Sequence, residues 1–263
     1  MRTPRKLWRA ARYRRMLRNL AGPRLLAEFS RAYPEAFFVE IGSNDGEQHD
    51  HLRPFILSSG WRGIMVEPVP YVFERLRRSY GAHERIALEN SAIGERDATL
   101  PFFHVRDASA EERERLPDWY DGIGSFSREA LLGHAAEIPD ISERIVRAEV
   151  TTLTFESLCR RHGVDEVDLL VIDTEGYDWR ILQSIELDSR RRPRLIVYEH
   201  YHLSPTDRSA AAEHLRAYGY ETIEEGFDTF CLDARRVDSV TRTWRRLRPA
   251  VAGVAAYEEE AAA

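Results

Sequence analysis

Several acidic side chains and one histidine stand where short apolar runs break off. Glu40 lies within FFVEIGSNDGE (37–47), Glu67 follows GIMV, Asp173 and Glu175 follow VI in VIDTEG, and Glu199 and His200 follow RLIVY. A carboxylate in such a place can accept a hydroxyl proton, hold a diol or attract a cation, and a histidine beside it adds a base that titrates near neutrality. Asp173, Glu175, Glu199 and His200 come from successive apolar runs and are expected to converge over one cleft. Such a set suits a general base acting on a hydroxyl, and these four are the catalytic candidates. Asp173 with Glu199 would also suffice for a Mg²⁺ ion, which commonly takes one or two carboxylates plus water. That metal-assisted variant is the alternative, and magnesium is not expected.

The stretch 37–47 reads as a strand feeding a glycine turn at the carboxyl edge of a parallel sheet, where open α/β folds bind ligands. Its spacing is Gly42-x-x-x-Gly46, not the Gly-x-Gly-x-x-Gly of dinucleotide sites, and Glu40, Asp45 and Glu47 surround it. A pyrophosphate prefers bare N–H groups and positive potential. The acidic loop therefore speaks against an NAD-dependent oxidoreductase and for a phosphate-free cation, with S-adenosylmethionine as the expected ligand. Glu67 is placed to accept both hydroxyls of a ribose. Asn90, Ser91 and Ala92 could read the edge of an adenine.

These residues need a frame, and from residue 37 onward strands and helices alternate in the manner of a sheet covered on both faces. Strands are expected at 37–42, 63–67, 86–93, 145–151, 167–173 and 194–199. Helices are expected near 50–59 and at 71–80, 154–162, 177–185 and 206–218. The segment YETIEEGFDTFCLDA predicts two strands around Gly226, closing the sheet edge as a hairpin. Residues 99–105 read as an extended excursion. The polar stretch 106–143, with GIGSFS at 122–127 and a short helix after it, breaks the pattern as a lid or binding insertion would.

Composition sets the outer bounds. The 263 residues, 43% hydrophobic and 31% charged, suffice for one α/β domain with a full core. No apolar run approaches the ~20 residues of a membrane span, and no apolar stretch follows the basic N-terminus as in a signal peptide. Cys159 and Cys231 are isolated, without disulfide or zinc spacing, so a reducing cytoplasm is the expected location. Net charge is −6, yet residues 1–24 carry nine Arg or Lys and no acid, and 258–260 is Glu-Glu-Glu. The basic arm reads as a helix docking through Leu7, Trp8, Leu17 and Leu20, or as a peripheral contact with an anionic membrane. Nucleic acid is disfavoured as a partner, because the arm lacks interleaved aromatics and the overall charge is negative.

Four segments in order, Glu40-x-Gly42-x-Asn44-x-Gly46, GIMVEP (63–68), NSAIG (90–94) and VDLLVIDTEGYDWRIL (167–182), resemble the FkbM family of S-adenosylmethionine-dependent methyltransferases. Ile172-Asp173-x-Glu175-Gly176-Tyr177 is the most specific of these. The resemblance implies a class I methyltransferase fold: a Rossmann-like, mostly parallel seven-stranded sheet with an antiparallel last strand and helices on both faces. It implies methyl transfer to a hydroxyl, most commonly of a sugar, glycolipid or secondary metabolite; a non-catalytic binding module on the same fold is an alternative. Carried over by position, Glu40, Gly42, Ser43, Asn44 and Gly46 would bind the methionine side of the cofactor. Glu67 would hold the ribose, Ser91 and Ala92 would flank the adenine, and Asp173 would face the methionine amino group or the acceptor. The domain would span 35–233 with its insertion at 106–143, between an arm at 1–34 and a peripheral tail at 234–263. The acidic Asp45-Gly46-Glu47 and the insertion depart from the commoner pattern, and the insertion is expected to choose the acceptor.

Overall fold

The computed structural model describes residues 21–48, 50–187 and 190–248. Leu7, Trp8, Leu17 and Leu20 of the basic arm, and the acidic 258–260, lie outside the described residues. Seven strands form the main sheet: β1 (Phe37–Ile41), β2 (Arg62–Val66), β3 (Ile86–Glu89), β8 (Leu169–Ile172), β9 (Leu195–Glu199), β10 (Tyr220–Glu225) and β11 (Asp228–Asp233). Their spatial order is β10-β11-β9-β8-β1-β2-β3. The first three and β8–β9 pair in parallel, and β11 runs antiparallel to both β9 and β10.

The near-continuous apolar runs of β1 and β8 follow from burial on both faces. Val39 and Ile41 point into one layer with Leu170, Ile172 and Ile196. Phe38 points into the other with Met65, Leu169, Leu195 and Val197. Helices cover both layers. The helix Pro70–Tyr80 begins with proline at its first turn, where the missing N–H costs nothing, and buries Val72, Leu76 and Tyr80. The helix Pro205–Ala217 is capped by Ser204, whose hydroxyl accepts from the amide of Asp207. Chain order reverses direction across the sheet at β1, with β2 on one side and β8 on the other. The crevice at the carboxyl ends of these strands is thus where a ligand site is expected.

A second sheet corrects the expected alternation. It is built from β4 (Ala92–Ile93), β5 (Ala98–Val105), β6 (Gly124–Ser125) and β7 (Ile145–Leu153), in the order β4-β7-β5-β6. The strand expected over 86–93 divides, because the side chain of Asn90 donates to the carbonyls of Glu67 (2.8 Å) and Pro68 (3.2 Å) and turns the chain. Ala92–Ile93 then pair with Thr152–Leu153. Residues 145–151 are likewise not a member of the parallel repeat. They run antiparallel to β5, with Leu100 opposite Val150.

The insertion has its own small core of Val105, Tyr120, Ile123, Leu131, Ile138 and Ile141, and its expected helix lies at Arg128–Leu132. Ion pairs fasten it to the main domain. Arg75, on the helix Pro70–Tyr80, holds Asp121 and Asp107 at 2.7 Å each, and Arg113 pairs with the same two carboxylates.

Residues 234–248, expected as a peripheral tail, instead enter the core. Helical from 239, they bury Val240, Trp244 and Leu247 beside Phe29 and Val197. The fully buried Arg194 joins them through Asp238 (2.9 Å) and Thr241 (2.7 Å). Such a guanidinium can be buried only because carbonyl, hydroxyl and carboxylate oxygens surround it.

Candidate active site

The carboxyl ends of β1, β2, β8 and β9 open into a cavity of about 520 Å³ roofed by the insertion. This is within the usual range for small-molecule sites. Its two ends differ in chemistry.

At one end lies the glycine turn. Gly42 has φ +86°, and a Cβ there would stand 1.7 Å from the carbonyl oxygen of Asp173. Only glycine lets β1 and β8 release their chains so close together. Asn44 is also left-handed (φ +47°), a conformation asparagine tolerates better than most residues. Its amide donates to Glu67 Oε2 (3.1 Å), and the amide of Val69 donates to Glu67 Oε1 (2.8 Å). Glu67 is thereby fixed at the cavity wall with acceptor capacity left on both oxygens. Burial pushes its carboxyl up to about 7 against the opposing pull of those two amides, and the charges of Asp173 and Asp45 add to the rise. Two further lining atoms, Asn44 Oδ1 and Ser91 Oγ, are buried without a hydrogen-bond partner in the protein. Native structures seldom leave such atoms unsatisfied unless a ligand or water completes them.

At the other end stand Asp173, Glu175 and Glu199, with Asp228 behind them. Glu175 is left-handed (φ +53°), a costly backbone for a residue with a Cβ and one that clusters at functional sites. Burial pushes Glu175 up to about 8, helped by the charges of Asp173 and Glu199. Burial also pushes Glu199 up to about 9, helped by Asp173 and Asp228. His202 meets both carboxylates, its Nδ1 lying 3.0 Å from Glu199 Oε2 and 3.2 Å from Glu175 Oε2. The insertion adds Trp119, Phe126 and His134, while Tyr201 and Phe227 stand exposed at the mouth.

Of the expected site residues, Gly42, Asn44, Glu67, Ser91, Ala92, Asp173, Glu175 and Glu199 line this cavity. Glu40, Ser43 and Gly46 lie behind it. Ser43 donates to the carbonyl of Glu40 (3.1 Å), and Gly46 (φ +68°) leaves room for the ring of Tyr80, which a Cβ would meet at 2.6 Å. Burial, then the charge of Asp50, raises the Glu40 carboxyl well above the usual range, and its Oε2 has no partner.

His200 is a correction. It leaves β9 on the far side, its amide bonded to the carbonyl of Phe227 and its Nδ1 2.9 Å from Thr229 Oγ1. It is buried there, and burial lowers its basicity. His202, two residues further on, faces the cavity instead, as do His51 and His134.

The methyltransferase FkbM domain model matches residues 40–222 of the chain. The chain belongs to the FkbM methyltransferase family. No curated protein matches it. Among solved structures, an FkbM methyltransferase from Methylobacillus flagellatus KT is similar at 12% identity and TM-score 0.46, over 76% of this chain and 44% of that one. A methyltransferase from Geobacter sulfurreducens gives 12% identity and TM-score 0.41, over 88% of this chain and 90% of that one. Fibrillarin from Aeropyrum pernix, solved with natively bound S-adenosyl-L-methionine, gives 12% identity and TM-score 0.38, over 75% and 66%.

In this FkbM domain, sequence reading missed His134, His202, Trp119, Tyr201 and Phe227 as cavity residues. The spacing Glu199-x-x-His202 was the available signal, since three residues in a turn bring side chains back to one side. For His134 and Trp119 no local pattern exists, because the fold of the insertion alone brings them over the cavity.

Proposed function

We propose that this chain is an S-adenosylmethionine-dependent methyltransferase acting on an acceptor hydroxyl. The observation that carries the reading is the cluster of Glu67, Asn44 and Ser91 on one wall of the cavity. There a fixed carboxylate and two buried, unpartnered oxygens offer acceptors to a diol and to an amino or heterocyclic edge. The acidic lining suits a cationic ligand and not a pyrophosphate. Bound there, S-adenosylmethionine supplies a methyl group already activated on a sulfonium.

The chain's own residues do the rest. Glu67 accepts from the ribose hydroxyls, Ser91 and Ala92 border the base, and the turn at Gly42 and Asn44 borders the methionine end. Gly122 of the insertion lies against Asn44 and Glu175, close enough that an added Cβ would be 3.4 Å from Asn44 Nδ2. The roof therefore narrows the passage between donor and acceptor ends. Asp173, on the Glu175 and Glu199 side, is exposed to the cavity with its backbone against Gly42, and on this reading it takes the hydroxyl proton as the new bond forms. A positioned base typically contributes 10²–10⁴-fold, on top of alignment of the reacting atoms.

The aromatic mouth supports a sugar, glycolipid or secondary metabolite as acceptor, since Tyr201 and Phe227 (ring centroids 4.7 Å apart) present ring surface to an incoming ligand. Transfer of labelled methyl from S-adenosylmethionine to a panel of such hydroxyl compounds tests the reading. Asp173→Asn should lower turnover at least about a hundredfold and leave affinity for S-adenosylhomocysteine within a few-fold. Full turnover by that variant would remove Asp173 as the base.

A further inference from the structure

The acceptor end of the cavity contains a group of side chains that methyl transfer by alignment and a carboxylate base does not use. His134, Glu175 and His202 each offer one ligand atom, and these atoms lie within 4.8 Å of one another. They come from three separate parts of the chain: the insertion, the turn after β8 and the loop after β9. Glu175 Oε2 and His202 Nδ1 are 3.2 Å apart, the separation of two ligands meeting at about 100° on a shared metal with bonds near 2.1 Å. The rings of His134 and His202 meet edge to face at 5.8 Å, so the third ligand needs only a small inward shift. All three residues line the cavity, and the side of the set facing the cavity is open to a water or a ligand oxygen. Glu199 Oε2, 3.0 Å from His202 Nδ1, brings a second carboxylate to the edge of the set.

We propose that His134, Glu175 and His202 form a binding site for a divalent transition metal, with Zn²⁺ as its best occupant, and that its open position takes the acceptor's oxygen. Two imidazoles and one carboxylate with a vacant position are the donor set of catalytic zinc and non-haem iron sites. Imidazole nitrogens disfavour Mg²⁺ and Ca²⁺, which prefer oxygen donors. The site is distinct from the Asp173–Glu199 pair, which would suit magnesium. The second half of the proposal, contact with the acceptor oxygen, depends on the methyltransferase reading. The metal site itself does not.

The test uses the tag-free full chain, stripped with chelator and titrated calorimetrically with Zn²⁺ alone. One ion per chain is expected, with binding weakened at least about a hundredfold in His134→Ala and in His202→Ala and unaffected by equimolar Mg²⁺. His134 is half-buried and His202 exposed, so these variants should fold, and thermal unfolding verifies it. No saturable binding, unchanged affinity in either variant, or displacement by equimolar Mg²⁺ would overturn the site. Affinity for S-adenosylhomocysteine is measured in parallel on the stripped chain. Its loss would count against the methyltransferase reading, and its survival without zinc binding would count against the metal site alone.

Discussion

The two ends of the cavity are built by different means. The end proposed for the methyl donor is made largely of backbone: a left-handed glycine turn, two amides fixing Glu67, and strand ends held in parallel register. The end proposed for the acceptor is made of side chains delivered from afar, with His134 and Trp119 from the insertion and Tyr201 and His202 from the loop after β9. Main-chain geometry anchored in a buried sheet admits little variation, because each change meets a neighbouring carbonyl or ring. A roof tied down by ion pairs among Arg75, Arg113, Asp107 and Asp121 can change its residues while the sheet stays intact.

This contrast can be broken most severely at Gly42. Gly42→Ala places a methyl group against the Asp173 carbonyl and forces a left-handed backbone on alanine. It should cost at least about 2 kcal/mol of stability and abolish measurable binding of S-adenosylhomocysteine, as read by thermal unfolding and calorimetry. Retained binding would show that the turn is not where the donor lies.

A smaller effect is expected at Glu67, and its sign with pH is defined. Its carboxyl is raised from an ordinary 4.5 to about 7, so the folded chain without ligand holds a proton that the unfolded chain releases. The stability associated with this group is full below pH 4.5 and is lost as pH rises through 7, by up to about 3 kcal/mol. Ribose hydroxyls favour the ionised form, so donor affinity moves the opposite way and should be about tenfold weaker at pH 6 than at pH 8. Glu67→Gln should remove the part of both slopes that Glu67 contributes, leaving that of Glu175 and Glu199. Calorimetry and denaturant unfolding at the two pH values read them separately.

At the acceptor end the expected effects are selective. Asp121 is the hub of the clasp, since the hydrogen bonds from Arg113 and Arg75 outweigh burial and hold its carboxyl below the ordinary range. Asp121→Asn loosens the roof and should raise KM for the acceptor about tenfold, while affinity for S-adenosylhomocysteine changes less than twofold. The smallest effect belongs to the mouth. Tyr201→Ala or Phe227→Ala should raise acceptor KM by a few-fold each. Equal losses on donor and acceptor in any of these variants would erase the distinction between the two ends.

The same distinction explains what could be read before the fold was known. Apolar runs ending in Glu67, Asp173 and Glu199 announce buried parallel strands with polar tips, and Gly42 announces a tight exit. These are local signals, and the main sheet follows from them. Asn90 looked like part of an adenine site, but its side chain ties off the end of β2, and no pattern in NSAIG reveals that it ends one strand and begins another sheet. His200 reads as one candidate base beside Asp173, because it adjoins Glu199 in sequence. The hydroxyl of Thr229, on the antiparallel neighbour β11, takes its ring out of the cavity, and that contact depends on a hairpin some thirty residues later. Residues 234–248 look like an Arg-rich tail, yet Trp244 donates to Glu221 (2.8 Å) and the segment completes the core through Arg194. Long-range partners, not local periodicity, decide these cases.

The central claim is that the end of the cavity fixed by Glu67, Asn44 and Ser91 holds the methyl donor. Calorimetric titration of the full chain with S-adenosylhomocysteine at pH 8 tests it most directly. One molecule should bind per chain, with affinity at least about tenfold weaker in Glu67→Gln and no heat from NAD under the same conditions. Absence of S-adenosylhomocysteine binding, or equal affinity in Glu67→Gln, would contradict the account.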